Sequence, residues 1–460
     1  MTPKVVRANR SAWRHEFLPV LVGALLCLAV GISGCSDDGE PGEPMNPSGP
    51  MADLSTQITA GGSPFLGAAV STNLEELGYV EREYVASGVA VSYRSSLPLA
   101  GDGVWTFEED GSAPYRTRVL VRRPANSAHF SGTVIVEWLN VSGGLDANPS
   151  YASVEEELTR QGHAWVGVSA QLIGVEGGPV LVIAPGGEGF VGVGLKAIDP
   201  ARYGTLAHPG DGFSFDICTQ VARAVRAGGS AMGGLKPRRV IAAGESQSAI
   251  ALVTYYNGVQ PLSQAFDGFF VHSRGATSLP LVGPGEYADL ARSFGSTPVR
   301  LRTDLNAPVL VLQAEGDVTG LLASATVRQP DSNKLRLWEV AGTAHADAHL
   351  LGPLADAIDC GGPINNGPLH LVAKAALRGL DTWVRTGEVP PEAPRLTVAG
   401  TQIRRRHCAG RHTYSAGRRT GRCPFRRTTA ERRSAVSPAR FDKASAGAAS
   451  RRALCLACRL

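Results

Sequence analysis

A serine, two carboxylates and a histidine follow one another along this chain in an order suited to acyl transfer. Arg239 to Ile250 reads R-V-I-A-A-G-E-S-Q-S-A-I, an apolar strand-like run that breaks at Gly244-Glu245-Ser246-Gln247-Ser248 and resumes as a helix former. A serine at the tip of a tight strand-to-helix turn has its Oγ pushed clear of the backbone. The next N–H and the helix N-terminus then face any negative charge that develops beside it. Gly244 meets the need for close strand–helix approach, and Ser248 stands where a glycine is usual, a small departure because serine is small. A bare G-x-S-x-[GS] occurs often by chance. Its weight here comes from the strand before it and from Ala249-Ile250-Ala251-Leu252 after it.

A serine of this kind needs a base, and the base needs a buried carboxylate to fix its tautomer and stabilise the imidazolium. Pro308-Val-Leu-Val-Leu-Gln-Ala-Glu315-Gly-Asp317 offers Glu315 and Asp317 just past one apolar run. Trp338-Glu-Val-Ala-Gly342-Thr-Ala-His345 places a histidine in the loop after the next. His345 is the expected base because it alone follows the last strand. An oxyanion hole also requires two N–H groups aimed at the developing O⁻. Gln247 supplies the first by position, and the turn after Trp138, through Asn140 or Val141, is expected to supply the second. His272 ends the strand after the elbow and reads as a packed histidine near the site. His345-Ala-Asp347-Ala-His349 has metal-ligand residues but no further ligands of clear spacing, so neither a metal nor a cofactor is assigned, and His349 reads as a surface or supporting residue.

These residues must be held by strands and helices in alternation. Val119–Arg123, Thr133–Trp138, Ala164–Ser169, Arg239–Ala243, Phe266–His272, Val309–Gln313 and Leu335–Val340 are predicted strands. Ser153–Gln161, Phe213–Arg226 and Leu369–Thr386 are predicted helices. Glu81 to Arg94 alternates polar and apolar residues and is expected to add antiparallel edge strands. The Gly/Pro-rich stretch from Gly174 to Gly212 should form loops and short elements over one face, with Tyr203, Phe190 and His208 as candidates to line a pocket wall. Such an order implies a mainly parallel sheet covered by helices on both faces, with its chemistry at the carboxyl ends of the strands. Serine, acid and histidine in that chain order, each at a strand end, is the α/β-hydrolase arrangement.

The two ends are of different character. Lys4, Arg7, Arg10 and Arg14 precede an apolar stretch from Phe17 to Val30, followed by Ile32-Ser33-Gly34-Cys35. This reads as an export signal over residues 1–34, short of the ~20 apolar residues that span a bilayer. The residues before Cys35 resemble the lipobox of bacterial lipoproteins, which implies lipidation of Cys35, a cell-envelope location and, with Ser36 following, the outer membrane of a Gram-negative cell. Residues 35–57 are a Pro-, Gly- and acid-rich tether, and 58–403 the folded domain. From Arg404 to Leu460 the chain carries fifteen Arg and one Lys against Glu431 and Asp442, a net charge of +14 in a chain of net +4. The basic character therefore belongs to this tail alone. It has neither helical nor strand period, few aromatic residues to stack on bases, and cysteine spacings unlike common zinc sites, so it reads as a disordered segment of out-of-frame origin, and no nucleic-acid partner is expected.

V-I-V-E-W-L-N-V-S-G-G, A-G-E-S-Q-S-A, L-Q-A-E-G-D-V and W-E-V-A-G-T-A-H-A-D together resemble the bacterial "alpha/beta hydrolase domain" family with a G-x-S-Q-S elbow, over about Ile58 to Arg405. The resemblance implies an α/β-hydrolase fold and serine-hydrolase chemistry, and favours Asp317 as the acid, with Glu315 the alternative. A small-molecule carboxylic ester is the expected substrate class. Acyl transfer, thioester hydrolysis and a non-catalytic binding scaffold are the competing readings, and the oligomeric state is left open. Once signal removal takes Cys27 and lipidation takes Cys35, Cys218 and Cys360 are the thiols of the core, either as a disulfide in an oxidising envelope or as two separate buried thiols.

Overall fold

The computed structural model describes residues 48–67, 73–182, 192–358, 362–400 and 402–403. The signal segment, Cys35, Phe190, Cys360 and the tail from Arg404 lie outside these residues. Among the described residues two long strands and six short ones rich in aliphatic and aromatic residues make up the main sheet: β1 (Tyr79–Arg94), β2 (Glu108–Pro124), β3 (Thr133–Trp138), β4 (Ala164–Val168), β5 (Arg239–Glu245), β6 (Gly268–His272), β7 (Val309–Ala314) and β8 (Leu335–Val340). They build one sheet in the order β1-β2-β4-β3-β5-β6-β7-β8. β2 is antiparallel to both its neighbours, and from β4 to β8 every pairing is parallel.

Parallel strands require crossovers, and helices supply them. α1 (Pro149–Gln161) links β3 to β4, α2 (Ser214–Ala227) precedes β5, α3 (Gln247–Thr254) follows it, and α4 (Leu369–Thr386) closes the fold. Successive strand side chains point to opposite faces, so each central strand feeds two cores. Val134, Val136, Val240, Ala242 and Val271 pack with Phe215, Val221 and Val225 of α2. Ile135, Ile241, Phe270, Leu310 and Leu312 pack with Val154 and Leu158 of α1 and with Leu377 and Leu380 of α4. The expected α/β architecture, a mainly parallel sheet with helices on both faces, is the one found.

Two differences from expectation have local causes. β2 begins at Glu108, well before Val119, because its mostly exposed first half, E-E-D-G-S-A-P-Y-R, pairs with β1, with a register shift at Asp110–Gly111, where alternation with an apolar face is weak. The stretch after Gly174 does form short elements, including helical turns at Gly194–Ile198 and Pro200–Tyr203. Tyr203, however, does not line a pocket wall. Its ring is fully buried with Ile58, Val85 and Leu206, and its hydroxyl donates to Glu83. His208 is likewise internal, its ring held between the Ala170 carbonyl and the Gly210 amide.

Candidate active site

Gly244 is required where it stands: a Cβ there would lie 2.9 Å from the Ser248 carbonyl carbon. With β5 and α3 that close, the chain turns at Ser246, whose φ of 59° lies in the left-handed region that non-glycine residues rarely adopt. The Ser246 N–H is fixed by the His272 carbonyl of β6 at 2.9 Å. Ser248 is fully buried beneath the turn.

The loop after β8 brings His345 over this serine. His345 Nε2 lies 2.8 Å from Ser246 Oγ, and Nδ1 lies 2.7 Å from Asp317 Oδ1. Asp317 sits on a one-turn helix (Glu315–Val318) at the end of β7, fully buried, its other oxygen accepting the Ala314 N–H at 2.6 Å. Glu315 faces elsewhere. Its Oε2 accepts the Gly342 N–H at 2.7 Å, and its own N–H donates to Thr343 Oγ1 at 3.1 Å, so it clasps the turn that carries His345. Ser246, His345 and Asp317 are thus joined in one hydrogen-bonded line, and the alternative acid is outside it.

Electrostatically the histidine is held between charges. Burial pushes the His345 imidazole down, but Asp317 on the Nδ1 side and Glu245 on the Nε2 side outweigh it and carry the value up to about 9. His272, buried beside this group, is pushed down to about 4 by loss of solvent, and both its ring nitrogens lack partners among the described residues. Glu245, the residue before Ser246, escaped sequence reasoning. Its carboxyl oxygen approaches His345 Nε2 to 3.6 Å.

The amides expected to form an oxyanion hole are arranged differently from expectation at the second donor. Gln247 heads α3, and the first N–H of a helix has no partner within the helix, so its amide stands free beside Ser246. The Asn140 amide, by contrast, donates to the Ala147 carbonyl at 2.8 Å. The Val141 amide donates to the Gln247 side-chain oxygen at 3.2 Å, so neither expected donor is free. The Ser142 amide is taken by Asn140 Oδ1 and that of Gly144 by the Val141 carbonyl, which leaves the Gly143 amide as the unengaged one of this turn among the described residues. Gln247 also donates to Gln171 Oε1, which accepts the Trp138 indole N–H at 3.0 Å. One glutamine side chain therefore ties the elbow to the ends of β3 and β4, which gives the Q of S-Q-S a mechanical reason. Leu181 and Val182 donate to the Ser142 carbonyl, seating the stretch after Gly174 on this turn.

The remaining candidates lie apart. His349 donates to the Ala152 carbonyl and stacks on His370 at 3.9 Å, and Asp347 caps the turn at Ala348–Leu351. Cys218 is a free, buried thiol on α2, pushed up to about 12 by burial.

Several solved structures are similar to this chain at low identity. An esterase from Rhizomucor miehei is 12% identical over 69% of this chain and 93% of its own, with a TM-score of 0.34. A serine hydrolase without lid from Xanthomonas campestris is 15% identical over 64% and 94%, with a TM-score of 0.31. A putative dienelactone hydrolase from Klebsiella pneumoniae is 14% identical over 66% and 99%, with a TM-score of 0.33. No curated protein matches the sequence. The model of one family, the alpha/beta hydrolase domain, matches residues 47–415, and together with the eight-stranded sheet this establishes that the chain belongs to the alpha/beta hydrolase domain family.

Proposed function

We propose that this chain is a serine hydrolase that cleaves carboxylic esters through an acyl-enzyme. The observation that carries the reading is the continuous line from Ser246 Oγ through His345 to Asp317, with both contacts within 2.8 Å. Ser246 Oγ attacks the ester carbonyl as its proton passes to His345 Nε2, and the carbonyl electron pair moves onto oxygen. The Gln247 amide and, in this reading, the Gly143 amide receive that oxyanion. Collapse breaks the bond to the alkoxy group, which leaves with the proton from Nε2. Water then repeats the sequence and frees Ser246. Asp317 holds Nδ1 protonated and offsets the imidazolium charge throughout.

The sequence around Cys35 supports a lipid anchor and a place in the bacterial cell envelope. Changing Cys35 to Ala should abolish palmitate labelling and leave uncleaved precursor; unchanged labelling refutes the anchor. For the chemistry, a fluorophosphonate probe should modify Ser246, mapped by peptide mass. Silence of the probe on well-folded protein would favour a binding scaffold, and acyl transfer to an added alcohol outpacing hydrolysis would favour a transferase.

A further inference from the structure

Two glutamates end neighbouring strands at the site, and their surroundings differ. Glu137 of β3 is fully buried, and its carboxyl accepts three N–H groups, those of Ser150 and Tyr151 and the Trp165 indole, each at 2.9 Å. That is a structural acceptor. Glu245 of β5 is almost as deeply buried, yet among the described residues its carboxyl takes part in no hydrogen bond. With no protein donor holding it, this carboxyl is not committed as a structural acceptor, and its oxygens keep some contact with solvent. The contact it does make is with His345 Nε2, at 3.6 Å, the nitrogen that also meets Ser246 Oγ at 2.8 Å.

We infer that Glu245 is a further catalytic residue, a second carboxylate that meets the imidazolium on its Nε2 side while Asp317 meets it on the Nδ1 side. This rests on the serine-hydrolase reading above. When the Ser246 O–H bond breaks and the Nε2–H bond forms, positive charge appears on a ring flanked by two carboxylates. Glu245 neither gains nor loses a proton in the cycle; where it is ionised, above about pH 8, it acts through its charge, which lies closest to the nitrogen that carries the travelling proton. The groups facing it are Glu137 on β3, His272 paired with it on β6, Asp317 after β7 and His345 after β8, while α3 carries no ionisable side chain. Burial and the charges of Asp317 and Glu137 push the Glu245 carboxyl up, to about 8, against the pull of His345.

The sign of the effect follows. Ionised Glu245 favours the protonated ring, so the pH at which His345 becomes a free base is raised, and removing the charge lowers it. Glu245→Gln keeps the shape and removes the charge. In this variant the acidic limb of kcat/KM should move down by at least one pH unit, and the plateau should fall several-fold because the transition-state imidazolium loses a partner. Glu245→Asp should move the limb by less. An unshifted limb in folded Glu245→Gln overturns the inference. Should that variant not fold, ¹⁵N-histidine NMR of the wild-type protein replaces it: His345 Nε2 should report two pH inflections, its own and that of Glu245, and a single inflection overturns the inference. Fluorophosphonate labelling separates the two levels. Labelled wild type with an unshifted variant removes Glu245 alone, whereas unlabelled, folded wild type removes the hydrolase reading and this inference with it.

Discussion

At the scale of single residues, the division of labour between Glu315 and Asp317 is decided by reach. The two lie two positions apart on one helical turn, so they point to different sides: Asp317 to the His345 ring, Glu315 to the Gly342 amide. Ser246→Ala and His345→Ala should each lower ester turnover by ~10⁴-fold or more, and the double variant should be scarcely worse, because members of such a line act as one unit. Asp317→Asn should lose about 10⁴-fold, since an amide can hold the wrong tautomer of the ring and cannot offset its charge. Glu315→Gln, whose amide oxygen can still accept the Gly342 N–H, should stay within about tenfold of wild type, the scale of one modest hydrogen bond. Steady-state kinetics on one activated ester, with circular dichroism to check folding, reads all of these. A larger loss in Glu315→Gln than in Asp317→Asn would reverse the assignment of the acid.

At the scale of elements, what could be read in the sequence was whatever is periodic or local. The hexapeptide T-V-I-V-E-W reads as a strand and is one, and the break at G-E-S-Q-S reads as an elbow and is one. The chain order of serine, acid and histidine then brings the three side chains together, because parallel crossovers return each strand end to the same edge of the sheet. What escaped depends on partners far apart in the chain. The Val141 amide is taken by a side chain 106 positions away, so no inspection of N-V-S-G-G reveals which amide stays free. Nothing local in the sequence marks Glu137 or Glu245 as buried, yet both are. Glu137 acts as the N-cap that α1 lacks from its own Asn148, whose side chain makes no capping bond. A carboxylate there also complements the positive end of the helix. Burial pushes the Glu137 carboxyl up to about 7 against the three N–H donors and the charge of Arg122. Glu137→Gln turns an amide NH₂ toward those donors and should lower stability by about 1–3 kcal/mol, the cost of leaving buried donors unmet. Urea denaturation measures this, and a neutral result would mean that α1 is held by its apolar face alone.

At the scale of the whole molecule, the site is held by an ionic group that joins segments distant in the chain. Arg118 of β2, fully buried, pairs with Glu83 of β1 at 3.1 Å and with Asp146, in the segment between β3 and α1, at 2.6 Å. Arg202 pairs with the other Glu83 oxygen at 2.6 Å and also donates to the Ala60 and Gly62 carbonyls. Burial pushes Arg118 down, but Asp146 and Glu83 carry it above the ordinary arginine range. Asp146 in turn accepts from Ser169 after β4, so the segment that follows the Asn140–Gly144 turn is moored to the antiparallel edge of the sheet. The residues named in this group all precede Arg404, and a protein lacking Arg404 to Leu460 should keep the ester turnover proposed above; loss of activity in a folded truncation would give the tail a part in the site. Arg118→Ala is the more demanding test. It leaves Asp146 buried without its cation and Glu83 with Arg202 alone, and should destabilise the protein by about 3–5 kcal/mol. Arg94→Ala, which breaks an exposed pair with Glu108 in the same strand hairpin, should cost no more than about 1 kcal/mol. If equilibrium urea unfolding, followed by tryptophan fluorescence, gives the two variants equal losses, the buried group is not what holds the β1–β2 edge to the site.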